Sequence, residues 1–149
     1  MSDPQSLLSS SALTAFRLNG QFLNVADALA APAGLTATRW QVLGAVLHEP
    51  LSVSDIARVM GITRQSVQRT ADLLSESGLV TYRTNPVHRR AKLVEITPQG
   101  LEAVSRINPQ HAAMAARLAE VLGTRRWGEI LTGLDEMSAA LESLDKQSD

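Results

Sequence analysis

Cysteine is absent from the 149-residue chain. That excludes disulfides, thiolate metal sites, a cysteine nucleophile and thiol redox sensing. Aromatic residues make up only 3% of the chain against 44% hydrophobic residues, so the apolar content is mostly Ala, Leu and Val, a composition that favours helices. No apolar run approaches the roughly 18 residues that a membrane-spanning helix needs. The stretch Met1-Ser2-Asp3-Pro4-Gln5 is acidic and polar; without a basic start before an apolar segment it argues against a secretory signal and for a cytoplasmic protein. A Gly-rich phosphate loop, a paired-carboxylate motif and a G-x-S-x-G nucleophile are all missing, so an enzyme is not expected. His48, His88 and His111 are too dispersed for a metal motif, and neither a metal nor a cofactor is expected.

What is present is a chain of one domain's length, 1–149, long enough to bury roughly two-thirds of the surface it exposes when unfolded. Its net charge is -1, but the charge is unevenly spread. Between Arg39 and Leu93 stand eight basic residues (Arg39, Arg58, Arg64, Arg69, Arg83, Arg89, Arg90 and Lys92) against four acidic ones, while the rest of the chain carries six against eleven. A basic middle between acidic ends fits a polyanion-binding module inside a framework with another task; chance clustering on a solvated surface is the alternative.

Periodicity predicts a first helix over about 11–31, ended by Pro32-Ala33-Gly34, and a second over 36–48 with Thr36 as cap. Ser52 and Asp55 have the spacing of a capping box, which opens a short helix whose buried side is Ile56, Val59 and Met60. Gly61 ends it. Thr63 caps a further helix running from Arg64 to about Ser77, closed by Gly78. Val67, Thr70, Ala71 and Leu74 form its inner face, and Arg64, Gln65, Gln68, Arg69 and Asp72 its outer face. Two β-rich stretches, 79–84 and 92–96, flank the basic loop Asn85-Pro86-Val87-His88-Arg89-Arg90-Ala91 and predict a hairpin. Thr97-Pro98 opens a helix to about Leu122, kinked by Pro109 near 106–108. The last helix, about 124–145, carries Trp127, Ile130, Leu134, Met137, Leu141 and Leu144 on an a/d seam.

This order is that of a mainly α protein with a small β-hairpin: a winged helix-turn-helix flanked by N- and C-terminal dimerisation helices. The DNA-binding region spans about 36–97, and the dimerisation helices about 10–31 and 98–146. Arg and Gln on one helix face can reach guanine and adenine in the major groove, and adjacent arginines on a hairpin tip can reach backbone or minor groove. The candidate DNA-binding residues are Ser52, Ser54, Thr63, Arg64, Gln65, Ser66, Gln68, Arg69, Arg89 and Arg90. Each has a plainer reading. The helix face can be solvated surface, the wing arginines can guard a sheet edge, and Ser52, Ser54 and Thr63 can be caps alone. Terminal helices with little to bury against inside one subunit favour an intersubunit seam. A winged helix serving as a protein-interaction module without DNA is the competing function, and salt-dependent DNA binding separates the two.

The segments Leu35-Thr36 to Trp40-Gln41-Val42-Leu43, Ile56-Ala57-Arg58-Val59-Met60-Gly61-Ile62-Thr63-Arg64-Gln65-Ser66-Val67, Leu73-Leu74-Ser75-Glu76-Ser77-Gly78-Leu79-Val80 and Ile96-Thr97-Pro98-Gln99-Gly100, with the wing 85–91, resemble the MarR family of bacterial transcription regulators. The resemblance covers about 10–145. It implies a homodimer joined through its first and last helices, double-stranded DNA with a palindromic operator as partner, and no membrane. It also implies a repressor released by a small aromatic ligand, which would sit near Phe16, Arg17 and Trp40. There is one departure: where the family wing usually has Asp two residues before its most typical Arg, here Arg90, this chain has His88. A protonated His88 would add positive charge where the family has an acid.

Overall fold

The computed structural model describes residues 3–148. Helix α1 spans Pro4–Ala30, seven residues longer at its start than apolar periodicity predicts. Asp3 is the reason: its carboxylate accepts from the Ser6 N–H at 3.2 Å and the Ser6 hydroxyl at 2.7 Å, and Pro4 occupies the first turn, where its missing N–H is harmless. A 3-10 turn over Ala31–Ala33 ends at Gly34, whose φ is +76°.

Helix α2 spans Ala37–Ala45. Thr36 caps it by accepting from the Arg39 N–H at 3.2 Å, and Asp27 of α1 accepts from the Ala37 N–H at 2.6 Å. The helix stops three residues before His48, because the Val46 and Leu47 N–H groups turn to the carbonyls of Leu43 and Gly44 and tighten the last turn. Helix α3 follows over Val53–Met60 and ends at Gly61, with φ +70°. Its buried stripe is Ile56 and Ala57, with Val53 and Met60 half-buried beside them, while Val59 is exposed. The expectation that Val59 faces the core is therefore corrected: positions 53, 56, 57 and 60 already fill the inward stripe of two helical turns. The capping box is half formed. Ser52 Oγ accepts from the Asp55 N–H at 3.1 Å, whereas the Asp55 carboxylate turns to Arg58 at 3.3 Å.

Helix α4 spans Arg64–Glu76 and buries Val67, Thr70, Ala71 and Leu74, the predicted inner face. Strand β2 covers Val80–Arg83 and β3 covers Leu93–Ile96. A two-residue strand β1, Leu51–Ser52, adds to the far side of β3, so the predicted hairpin is part of an antiparallel sheet in the order β1-β3-β2. Leu51 pairs with Val94, and Tyr82 pairs with the same residue from the other side. Around this sheet Leu43, Ile56, Leu74, Ile107, Val42, Val46, Val67 and Val94 form a core with side chains less than 2% exposed. Burying each such Leu or Ile contributes about 1.5–3 kcal/mol.

Thr97 joins sheet to helix. Its hydroxyl donates to the Gly78 carbonyl at 2.7 Å and accepts from the Gly100 N–H at 3.1 Å. Gly100 is required by close approach, since a Cβ there would collide with the Leu79 carbonyl and the Ile96 side chain. Helix α5 runs over Pro98–Leu122 with Pro109 inside it. Proline does not end the helix, and the division into two compact units, up to Pro109 and from Gln110 onward, falls immediately after it. Helix α6 spans Thr124–Ser148, three residues past the predicted end. No helix among the described residues is long and apolar enough to cross a membrane.

Candidate nucleic-acid interface

Local chemistry fixes the position of each side chain in the site. Thr63 Oγ1 accepts from the Ser66 N–H at 3.1 Å, so α4 begins at Arg64 and brings the positive end of its dipole to that point. The pairing of β1 with β3 carries Ser52 and Ser54 to the base of the wing. The wing starts with a turn in which Asn85 Oδ1 accepts from the N–H groups of Val87 at 3.0 Å and His88 at 3.3 Å. A second turn follows, with the Ala91 N–H donating to the His88 carbonyl at 3.1 Å. Arg89 and Arg90 lie between these bonds and are exposed.

Helix α4, the start of α3 and the wing enclose an open cleft of about 680 Å³. Ser52, Ser54, Arg64, Gln65, Gln68 and Arg90 all line it, together with Val53, Asp72, Tyr82, Ala91 and Lys92. Three cations thus meet a single carboxylate. Thr63, Ser66, Arg69 and Arg89 are exposed but do not line the cleft. Ser52 is buried with its oxygen engaged as the α3 cap. Among the described residues no carboxylate lies within 4.0 Å of Arg64, Arg69, Arg89, Arg90 or Lys92, whereas Arg58 pairs with Asp55 and Arg83 with Glu95 at 2.7 Å.

The sequence assigns no role in the site to three polar residues of the cleft, Asp72, Tyr82 and Lys92. Tyr82 Oη donates to Asp72 Oδ1 at 2.5 Å, and Gln68 Nε2 donates to the same Oδ1 and to Tyr82 Oη, each at 3.0 Å. Burial, then the Asp72 hydrogen bond and the carboxylate's charge, push the Tyr82 phenol well above its ordinary value. Two signals point to this cluster. Asp72 lies four residues after Gln68 on one helix, and Tyr82 shares a strand face with the buried Val80.

The candidate ligand residues are not in the cleft. Phe16 and Arg17 are exposed on α1, and Trp40 is half-buried against the core. In the second unit, Trp127 is half-buried, while Ile130, Leu134, Met137, Leu141 and Leu144 are exposed along α6.

A family model described as MarR family matches residues 33–91. The chain is 34% identical over 128 residues to an uncharacterized protein of Mycobacterium tuberculosis, covering 86% of this chain and 90% of that one. A MarR family transcriptional regulator from Streptomyces coelicolor is similar in structure, with TM-score 0.74 and 29% identity over 91% of this chain and 96% of that one. The Mycobacterium tuberculosis transcriptional regulator MosR, solved in complex with DNA, superposes with TM-score 0.76 at 22% identity, covering 89% of this chain and 96% of that one. The match across the helix-turn-helix and wing, and the likeness over nine-tenths of the chain, agree with the cleft's architecture: the chain belongs to the MarR family of transcription regulators.

Proposed function

We propose that the protein is a sequence-specific DNA-binding repressor that acts as a homodimer on a palindromic operator and is released by a small aromatic ligand. One observation carries most of this: an exposed recognition face on α4 and a wing whose Arg90 and Lys92 meet Arg64 in one cleft with a single acid. Such a surface attracts phosphate backbone and presents Arg and Gln to base edges. Arg64, Gln65, Gln68 and Arg69 serve as the groove-facing set. Ser54, Thr63 and Ser66 contact phosphate, Ser52 supports them as a cap, and Arg89 and Arg90 hold the flanking backbone. That a relative of the same fold was solved in complex with DNA supports the same use here. Repression and release rest on the family alone. Phe16 and Trp40 offer rings and Arg17 a guanidinium, a set suited to an aromatic carboxylate. A ligand can release DNA only by binding the DNA-free arrangement more tightly.

Selection of bound DNA from a random pool is the test. The expected result is an inverted repeat with half-site centres about 10 bp apart, whose binding weakens steeply with salt. Failure to enrich any sequence overturns the reading and leaves a protein-interaction module.

A further inference from the structure

We propose that Asp72 and Tyr82 are positioning residues that hold the Gln68 side-chain amide in one polarity, so that α4 selects adenine over guanine at one position of each half-site. The inference rests on the DNA-binding reading above. Gln68 Nε2 stands 3.0 Å from both Asp72 Oδ1 and Tyr82 Oη, and Tyr82 Oη donates to that same Oδ1 at 2.5 Å. A carboxylate only accepts. Tyr82 has spent its one hydrogen on Asp72 and has only lone pairs left for Gln68. Both neighbours therefore demand the nitrogen end of the amide, and a half-turn would set the Gln68 carbonyl oxygen against two acceptors.

The two acceptors lie 2.5 Å apart, while the hydrogens of an amide diverge by about 120°. One hydrogen can thus serve both Asp72 and Tyr82, which leaves the carbonyl oxygen and the second hydrogen for a base edge. What Gln68 offers the cleft is one acceptor and one donor in a fixed order. Adenine answers that order with its N6 donor and N7 acceptor; guanine presents O6 and N7, both acceptors, and opposes the carbonyl. An amide free to turn could give guanine its hydrogens instead. Asp72 is also the one acid among the cations Arg64, Arg90 and Lys92 in the cleft, where it repels phosphate. Its negative charge works against affinity while its geometry works for selectivity.

The experiment uses the full chain and the selected operator. Gln68→Ala on a scanned operator locates the base pair it reads. Affinities for adenine and guanine at that pair are then compared for the parent, Tyr82→Phe and Asp72→Asn, with unrelated duplex DNA in parallel. Tyr82→Phe keeps the ring, the charge and the Asp72 acceptor, so it should lower the adenine-to-guanine ratio by less than Asp72→Asn does, where the loss should be about five-fold or more, and leave binding to unrelated DNA nearly as before. Asp72→Asn should lower the ratio and tighten binding to all DNA, because a negative charge has gone. A tie that merely stabilised the fold would weaken every DNA equally and leave the ratio alone. An unchanged ratio in both variants, with Gln68→Ala still relaxing the site, overturns the positioning role and leaves DNA binding standing. A parent that binds no DNA overturns both.

Discussion

At the residue scale, the most informative side chain is Tyr82, the chain's single tyrosine. Burial and the Asp72 carboxylate hold its phenol above the ordinary 10. The sign of the stability effect follows. Below about pH 10 the phenol is neutral in both folded and unfolded chains, so the contribution is fully present. As the pH rises past that value the unfolded chain ionises first, and the contribution is lost as pH climbs toward the folded value. Ultraviolet difference absorbance should therefore show tyrosinate appearing well above pH 10 in the folded protein. Asp72→Asn should move it part of the way back and no further, because burial, the largest cause, remains. Tyrosinate at the ordinary pH in the parent would mean that the phenol is neither buried nor bonded to Asp72. Gly100 makes a second, independent prediction. The added methyl of Gly100→Ala meets backbone, the Leu79 carbonyl, rather than a flexible side-chain end. Overpacking of this kind costs about 1–3 kcal/mol, read as a lowered denaturant midpoint with an unchanged slope.

At the scale of elements, the helices of the DNA-binding region were largely legible because their signals are local. Thr63, the inner set Val67, Thr70, Ala71 and Leu74, and the positive-φ glycines at 61 and 78 each follow from residues within one or two turns. What stayed hidden depends on distant partners. Strand β1 is two residues long, too short for any period, and exists because Leu51 meets Val94. The Asp27 carboxylate that caps α2 comes from ten residues upstream on another helix. The Gln68–Asp72–Tyr82 cluster needs β2 laid against α4. The wing was legible as a basic loop, yet only the β1–β3–β2 sheet brings Arg90 and Lys92 into the cleft with Arg64. That placement separates the roles of the two elements. Arg90→Ala should weaken specific and unrelated DNA alike and lower the slope of log affinity against log salt by about one for each wing, near two for a dimer. Gln68→Ala should instead relax one position of the operator. A salt slope unmoved by Arg90→Ala would put the wing off the DNA.

At the scale of the whole molecule, the deciding feature is apolar surface that one chain leaves uncovered. On α6, residues 127, 130, 134, 137, 141 and 144 alternate by three and four, the spacing of a coiled-coil seam. Yet Leu134, Met137, Leu141 and Leu144 remain 44–60% exposed, and none of the described side chains of α6 is buried. On α1, Leu13, Phe16 and Phe22 are also exposed. An exposed apolar stripe along a helix marks an interaction site, and a twofold partner would cover each stripe with the surface of a second copy. Light scattering at micromolar concentration should then give about twice the 16.0 kDa chain mass. Leu141→Asp is the sharp probe. Leu141 is half exposed in the single chain, so aspartate there is hydrated and leaves the chain's own helices intact. In a dimer joined through this seam the same carboxylate would be buried without a partner, a change that costs several kcal/mol. The variant should scatter as a monomer with unchanged helical circular dichroism, and should lose affinity for the inverted repeat while keeping weak binding to unrelated duplex. A variant that stays dimeric would take α6 out of the interface, and α1 would be the next helix to charge.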